Sequence, residues 1–288
     1  MNKILAMAIL CIVTLAPLAQ ADEKEDFYSQ INRAVIRLEH FEAIQQKGST
    51  NVITQNIPDG TAVFIASSNV LYVVTVRHVV EKPYDLHARV QCKNEKRGEQ
   101  EVILLELPRD KWTYHENNGD QNTDYVDVAV MKIFWIQDRS IKNFRYEPKG
   151  SKDHDKNQLP MEDANPPQAI LVFGFPADLG FQLLEQKPMG RFGIVSMKTG
   201  KEFLKLESGK FAEERCYLVD ARLFGGNSGS PVMNQMTITD AAPRLLGLIK
   251  AANANLDFAV MEPVSRIRET LDLAKDKPMS GNWKVVGQ

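Results

Sequence analysis

Phe224-Gly225-Gly226-Asn227-Ser228-Gly229-Ser230-Pro231-Val232 crowds small residues around Ser228. A hydroxyl that acts as a nucleophile needs room beside it for an acyl group and free backbone N–H groups to receive an oxyanion, and glycines supply both. Taken alone, the same stretch is an ordinary Gly/Ser turn. Its meaning depends on what the rest of the chain brings to it.

Two other stretches carry matching chemistry. In Thr75-Val76-Arg77-His78-Val79-Val80 a histidine ends a strongly apolar strand, and an imidazole titrating near neutrality can take a serine proton. In Thr123-Asp124-Tyr125-Val126-Asp127-Val128-Ala129-Val130, Asp127 heads an apolar run, where a carboxylate can orient an imidazole and stabilise its charged form. A lone histidine on a strand end is more often a packing or surface residue, and an aspartate before a strand a turn residue. The order His78, Asp127, Ser228 is what gives the set weight. The rival reading, the Gly-x-Ser-x-Gly elbow of α/β-hydrolases, fits poorly, because Ser230 replaces the last glycine and that fold places its histidine after the serine.

Around these stretches the pattern is that of an all-β protein. Pro58-Asp59-Gly60 signals a turn, and 61–66 and 70–75 read as a hairpin leading into His78. Short strands are expected at 88–92, 101–105, 127–133, 169–173, 190–197, 216–220, 230–233, 245–249 and 258–261. A helix is expected over 264–273, where Val264, Ile267 and Leu271 recur at helical spacing. A short helix opens the mature chain, while 34–38 reads equally as its second half or as a first strand. The polar, Pro-containing stretch 137–168 reads as the connection between two halves.

The ordered triad and its strand contexts resemble the trypsin-like (chymotrypsin-fold) serine peptidases over about residues 34–273, with His and Asp on a first β-barrel and Ser on a second. Further matches look like those of the bacterial HtrA-type and glutamyl-endopeptidase-type members. They are Gly60-Thr-Ala-Val-Phe64, Val172-Phe-Gly-Phe-Pro176, Gly193-Ile-Val-Ser196, Asp220-Ala221, Leu246-Gly-Leu-Ile249 and Phe258-Ala-Val260. The resemblance implies two antiparallel β-barrels with a short N-terminal and a C-terminal helix. It divides the chain into a signal peptide (1–21), a helical segment (22–33), a first barrel (34–136), a connection (137–168), a second barrel with its closing helix (169–273) and a tail (274–288). It implies an endopeptidase acting on polypeptide substrates without metal or other cofactor, with catalytic His78, Asp127 and Ser228 and an oxyanion hole made by the N–H groups of Gly226 and Ser228. The competing expectation is a trypsin-like fold that has lost or restricts catalysis and serves as a protein-binding module.

Departures from the family pattern narrow the expectation. Asn227 stands where digestive and clotting members carry the aspartate that pairs with a new N-terminus, so activation by that route is not expected. With the sequence ending at residue 288, the peptide-binding PDZ domain that HtrA-type members append is not expected either. Arg222 falls where the family places the floor of its specificity pocket, and Ile249 where glutamyl endopeptidases use a histidine, with Lys250 beside it. A buried guanidinium there would favour acidic substrates; a solvent-facing Arg222 would not.

Lys3 followed by the apolar run 4–15 and Ala19-Gln20-Ala21 reads as a cleavable export signal, giving a periplasmic or extracellular protein that starts near Asp22 with no membrane anchor. In an oxidising compartment Cys92 and Cys216 can pair, or remain two separate buried thiols. The five histidines are scattered, without metal-ligand spacing. A formal net charge of −2 gives no case for nucleic acid.

Overall fold

The computed structural model describes residues 31, 33–45, 52–67, 69–117, 125–136, 138–141, 143–145, 161–177, 187–199, 204–205, 211–212, 215–235, 243–253 and 257–285. The expected N-terminal helix is seen at its end, where Ile31, Arg33 and Ala34 are helical and Ile31 and Ala34 are buried; the rest of it lies outside the described residues. Residues 34–38, ambiguous in the sequence, are resolved in favour of a strand from Val35 onward. That strand pairs on both edges, so the branched Val35 and Ile36 are buried where a helix would leave a sheet edge open.

The first half holds β1 (Val35–Gln45), β2 (Val52–Ser67), β3 (Val70–Thr75), β4 (Leu86–Asn94), β5 (Gln100–Leu107), β6 (Thr113–Tyr114), β7 (Ala129–Ile133), β8 (Arg139–Ser140) and β9 (Phe144–Arg145). They pair in the order β5-β4-β1-β2-β3-β7-β6, with β8 on β4 and β9 alongside β2. Pro58-Asp59-Gly60 is not a turn: β2 runs through it with a bulge, Leu38 pairing with Gly60 and Glu39 with Pro58. Proline lacks a ladder donor, and the slip leaves Asp59 unpaired across the strand. Its carboxylate instead lies 2.6 Å from His40 Nδ1 and accepts the Tyr84 hydroxyl at 2.7 Å.

The second half is a closed six-stranded barrel. Its strands are β10 (Gln168–Gly174), β11 (Met189–Lys198), β14 (Tyr217–Asp220), β17 (Phe258–Pro263), β16 (Leu245–Asn253) and β15 (Pro231–Asn234), in that spatial order; β12 (Leu204–Lys205) and β13 (Phe211–Ala212) form a separate pair. Ile170, Val172, Val195, Val219, Val232, Leu246 and Met261 fill its interior. Together the two sheets and the terminal helices give the expected all-β, two-barrel architecture.

Three expected boundaries move. The connection 137–168 belongs in part to the first barrel, because Ile141 and Phe144 are buried in its core, while Met161 bridges to Leu245 of the second. The helix Val264–Ala274 leaves the second barrel but lays Val264, Ile267, Leu271 and Ala274 into the first barrel's core. The segment 274–288 is no free tail: its strand β18 (Asn282–Val285) pairs with β5, and the Ser280 N–H donates to the Lys132 carbonyl at 2.8 Å beside β7. The returning chain thus extends the first sheet beyond β5 and also bridges to β7 near the sheet's other edge. An apolar anchor drives it, since Trp283 packs on that core 6.3 Å from Phe64, centroid to centroid, and donates its indole N–H to the Phe134 carbonyl at 2.9 Å.

Cys92 and Cys216 form no disulfide. Each is a buried thiol, one on β4 in the first core and one against Thr199 in the second barrel. Burial pushes the Cys92 thiol up to about 11, so it behaves as a core residue rather than a nucleophile.

Replacing Trp283 with alanine is expected to lower unfolding free energy by about 2–3 kcal/mol, read as a lower urea midpoint at unchanged slope. A midpoint unaltered by the substitution would show that the returning strand does not stabilise the first barrel.

Candidate active site

His78 sits on a one-turn helix, Arg77–Val80, that follows β3 directly. Buried Val79 and Val80 anchor the turn, leaving the imidazole partly exposed. Its Nδ1 is 2.7 Å from Asp127 Oδ2, and its backbone N–H donates to Asp127 Oδ1 at 3.0 Å. Pairing with a carboxylate assigns the ring proton to Nδ1, which leaves Nε2 as an acceptor, 3.0 Å from Ser228 Oγ. Arg77, beside the histidine, turns away from it: the guanidinium bonds Glu81 at 2.7 Å and lies over the Tyr114 ring at 5.0 Å.

Asp127 is almost wholly buried, just ahead of β7. Burial alone would raise its pKa, but the hydrogen bonds and charge of His78, helped by Lys250, hold the carboxyl below the usual carboxylate range. Tyr125 supplies a further donor, its hydroxyl 3.4 Å from Asp127 Oδ1. Desolvation and the nearby Asp127 charge push the Tyr125 phenol up to about 12, so it keeps its proton. The Asp127 N–H donates to Glu262 Oε1 at 2.9 Å, and that same oxygen lies 3.1 Å from Lys250 Nζ.

Ser228 lies on a loop between β14 and β15 built by two left-handed glycines. Gly226 has φ +86°, and the Asn227 N–H donates to the Phe224 carbonyl at 3.2 Å, closing a turn that needs positive φ at its third residue. Gly229 has φ +83°, and a Cβ there would lie 1.9 Å from the Thr61 carbonyl oxygen. Asn227 is buried; its amide donates to Phe224 O at 3.0 Å and its carbonyl accepts the Ser230 hydroxyl at 3.4 Å, so it braces the turn internally. Among the described residues, neither the Gly226 nor the Ser228 N–H donates to a protein acceptor.

The loop is fixed from both barrels. From β2, the Thr61 N–H donates to Ser228 O at 2.8 Å, and the Thr61 hydroxyl donates to Gly226 O at 3.0 Å while accepting the Phe175 N–H at 3.1 Å. From β16, Ile249 O receives the Gly229 N–H at 2.7 Å. Thr61 and Glu262 are not singled out in the sequence, because their contacts cross between segments far apart in the chain, and Tyr125, two residues before Asp127, reads there as an ordinary strand residue. The one sequence signal for any of them is Thr61, which follows the glycine of the Gly60-Thr-Ala-Val-Phe64 strand.

The residues expected around the specificity pocket are not brought together as one. Arg222 is a surface residue, 71% exposed at its side chain, 3.8 Å from Asp257 and lying over the Phe224 ring at 5.8 Å. Ile249 points into the second barrel's core, as its place on β16 dictates. Lys250 is buried and paired with Glu262 at 3.1 Å. Among the described residues no cluster of three or more His, Cys, Asp or Glu side chains could hold a metal ion, and no helix is long and apolar enough to cross a membrane.

Among solved structures, the HtrA-type protease AlgW with a decapeptide is 15% identical, over 87% of this chain and 67% of that one, with a TM-score of 0.49. The MamO protease domain from Magnetospirillum magneticum is 16% identical over 84% of this chain and 97% of its own, with a TM-score of 0.47. No curated protein sequence matches the chain. The family model described as the trypsin-like peptidase domain matches residues 60–237, well over half of the chain and the span that contains His78, Asp127 and Ser228. On that match the chain belongs to the trypsin-like peptidase family.

Proposed function

We propose that the protein is an exported serine endopeptidase that cleaves polypeptides through an acyl-enzyme. The observation that carries this is the unbroken hydrogen-bonded chain from Ser228 Oγ through both nitrogens of His78 to the buried Asp127 carboxylate. As Oγ attacks the peptide carbonyl carbon, its proton passes to Nε2, and the Nδ1–H bond to Asp127 stabilises the imidazolium that forms. The oxyanion is received by the Gly226 and Ser228 N–H groups, which donate to no protein acceptor among the described residues. The imidazolium then gives its proton to the leaving amine as the C–N bond breaks. Water, deprotonated by the same imidazole, hydrolyses the ester and restores Ser228. His78 faces Ser228 rather than turning away, which favours catalysis over a binding-only role.

A fluorophosphonate probe is expected to label the protein covalently, and Ser228→Ala or His78→Ala to lower peptide hydrolysis about 10⁶-fold. Equal labelling of wild type and Ser228→Ala would sink the assignment of the nucleophile.

Asp127→Asn keeps the shape of the site but loses the charge and the acceptor that fix the imidazole tautomer, so kcat is expected to fall about 10⁴-fold. Full activity in Asp127→Ala would move the role elsewhere, Asp124 being the nearest alternative; that residue lies outside the described ones.

Export rests on Lys3, the apolar run after it and Ala19-Gln20-Ala21. Protein recovered from a periplasmic or culture fraction is expected to have a mass that corresponds to a start near Asp22. An intact leader on protein retained in the cytoplasm would refute export.

A further inference from the structure

Lys250 and Glu262 form an ion pair that is costly where it stands. Their side chains are 8% and 2% exposed, and removing two charges from water is repaid only where geometry and further hydrogen bonds are good. Burial pushes the Glu262 carboxyl up, opposed by the Lys250 ammonium and the Asp127 N–H. Two leucine-sized side chains would fill the same space without that penalty, so the position of the pair calls for an explanation.

The pair stands on the second barrel and reaches the first. In β16, Ile249 pairs with Met261 and Ala251 with Val260, so Lys250 is the extra residue of a β-bulge. A bulge re-aims the side chain it carries. Here it sends Lys250 Nζ to Glu262 Oε1 at 3.1 Å, to within 3.5 Å of the Tyr125 carbonyl and 4.8 Å from the Tyr125 ring centroid. Glu262 in turn accepts the Asp127 N–H. One residue earlier, Ile249 O holds the Gly229 N–H beside the nucleophile. Consecutive residues of one strand therefore grip the loop that carries Ser228 and the segment that carries Asp127.

We infer that Lys250 and Glu262 are positioning residues, a cross-barrel clamp that seats Asp127 against the second barrel and so sets the distance between His78 and Ser228. The inference rests on the proposed peptidase chemistry and adds residues outside the span that the family model matches. It also assigns signs to their charges. Asp127 is faced by His78 and Tyr125 from the first barrel and by Glu262 and Lys250 from the second, with Arg77 and Glu81 beyond Tyr125. Removing the ammonium leaves uncompensated negative charge near His78 and favours imidazolium; removing the Glu262 charge does the reverse.

The test is the second-order rate of fluorophosphonate labelling as a function of pH for wild type, Lys250→Met, Glu262→Gln and the double variant, each checked for cooperative unfolding. The amide introduced by Glu262→Gln keeps an oxygen for the Asp127 N–H, and the double variant removes both charges together, so it leaves no buried ion alone. The double variant is expected to fold and to label about tenfold more slowly at the pH plateau. The acid limb is expected to move up by about half a pH unit in Lys250→Met and down by a similar amount in Glu262→Gln. Folded variants that label at the wild-type rate with an unmoved acid limb would overturn the inference, even if they unfold more easily, since that is what a purely structural pair would give. Failure of wild type to label, or labelling that survives Ser228→Ala, would instead sink the peptidase reading itself.

Discussion

The hydrogen bond from the Thr61 N–H to the Ser228 carbonyl, 2.8 Å long, joins two barrels that each hold only part of the chemistry. His78 and Asp127 belong to the first barrel and Ser228 to the second, so the 3.0 Å between His78 Nε2 and Ser228 Oγ is a property of how the barrels meet. Thr61 is well suited to fix that meeting. Its hydroxyl and both of its backbone polar groups are engaged, with Thr75 Oγ1 donating to its carbonyl at 2.6 Å, so the strand can slide only by breaking several buried hydrogen bonds together.

The same constraint explains why glycine stands at 229, whereas at 226 a Cβ would meet the Phe175 carbonyl and the Ala177 N–H of the second half's own chain. Both backbones are left-handed, and at 229 a side chain would collide with the carbonyl of the clamping Thr61. At 229 the close approach that brings the two barrels into register is therefore what excludes a Cβ. The loop that carries Ser228 is built from small residues because the barrel seam is tight.

The C-terminal segment contributes to the packing around β7 from the other side. The C-terminal helix carries apolar residues into the first core immediately after β17, which bears Glu262, and β18 then extends the first sheet against β5. Much of this was legible in advance: most expected strands lie where alternation and turn residues put them, and His78, Asp127 and Ser228 meet as their order implied. The bulge at Pro58-Asp59-Gly60 was not, because the residues of a bulge are those of a turn and only the pairing with β1 separates the two. Nor was β18, whose few residues carry little pattern of their own and form a strand because an open edge and a place for Trp283 await them.

The sequence by itself determined the period-two strands, the Gly-rich loop and the three groups with the right chemistry, since each is written within a short window of residues. Only the tertiary structure decided the duties of Arg222, Ile249 and Lys250. The same neighbourhood in the chain gives a surface arginine, a core isoleucine and a buried lysine paired with Glu262, according to which face of which strand each occupies. It also decided that Cys92 and Cys216 stay apart, in separate barrels. Such roles depend on which distant segment lies opposite, and that is fixed only when the barrels dock.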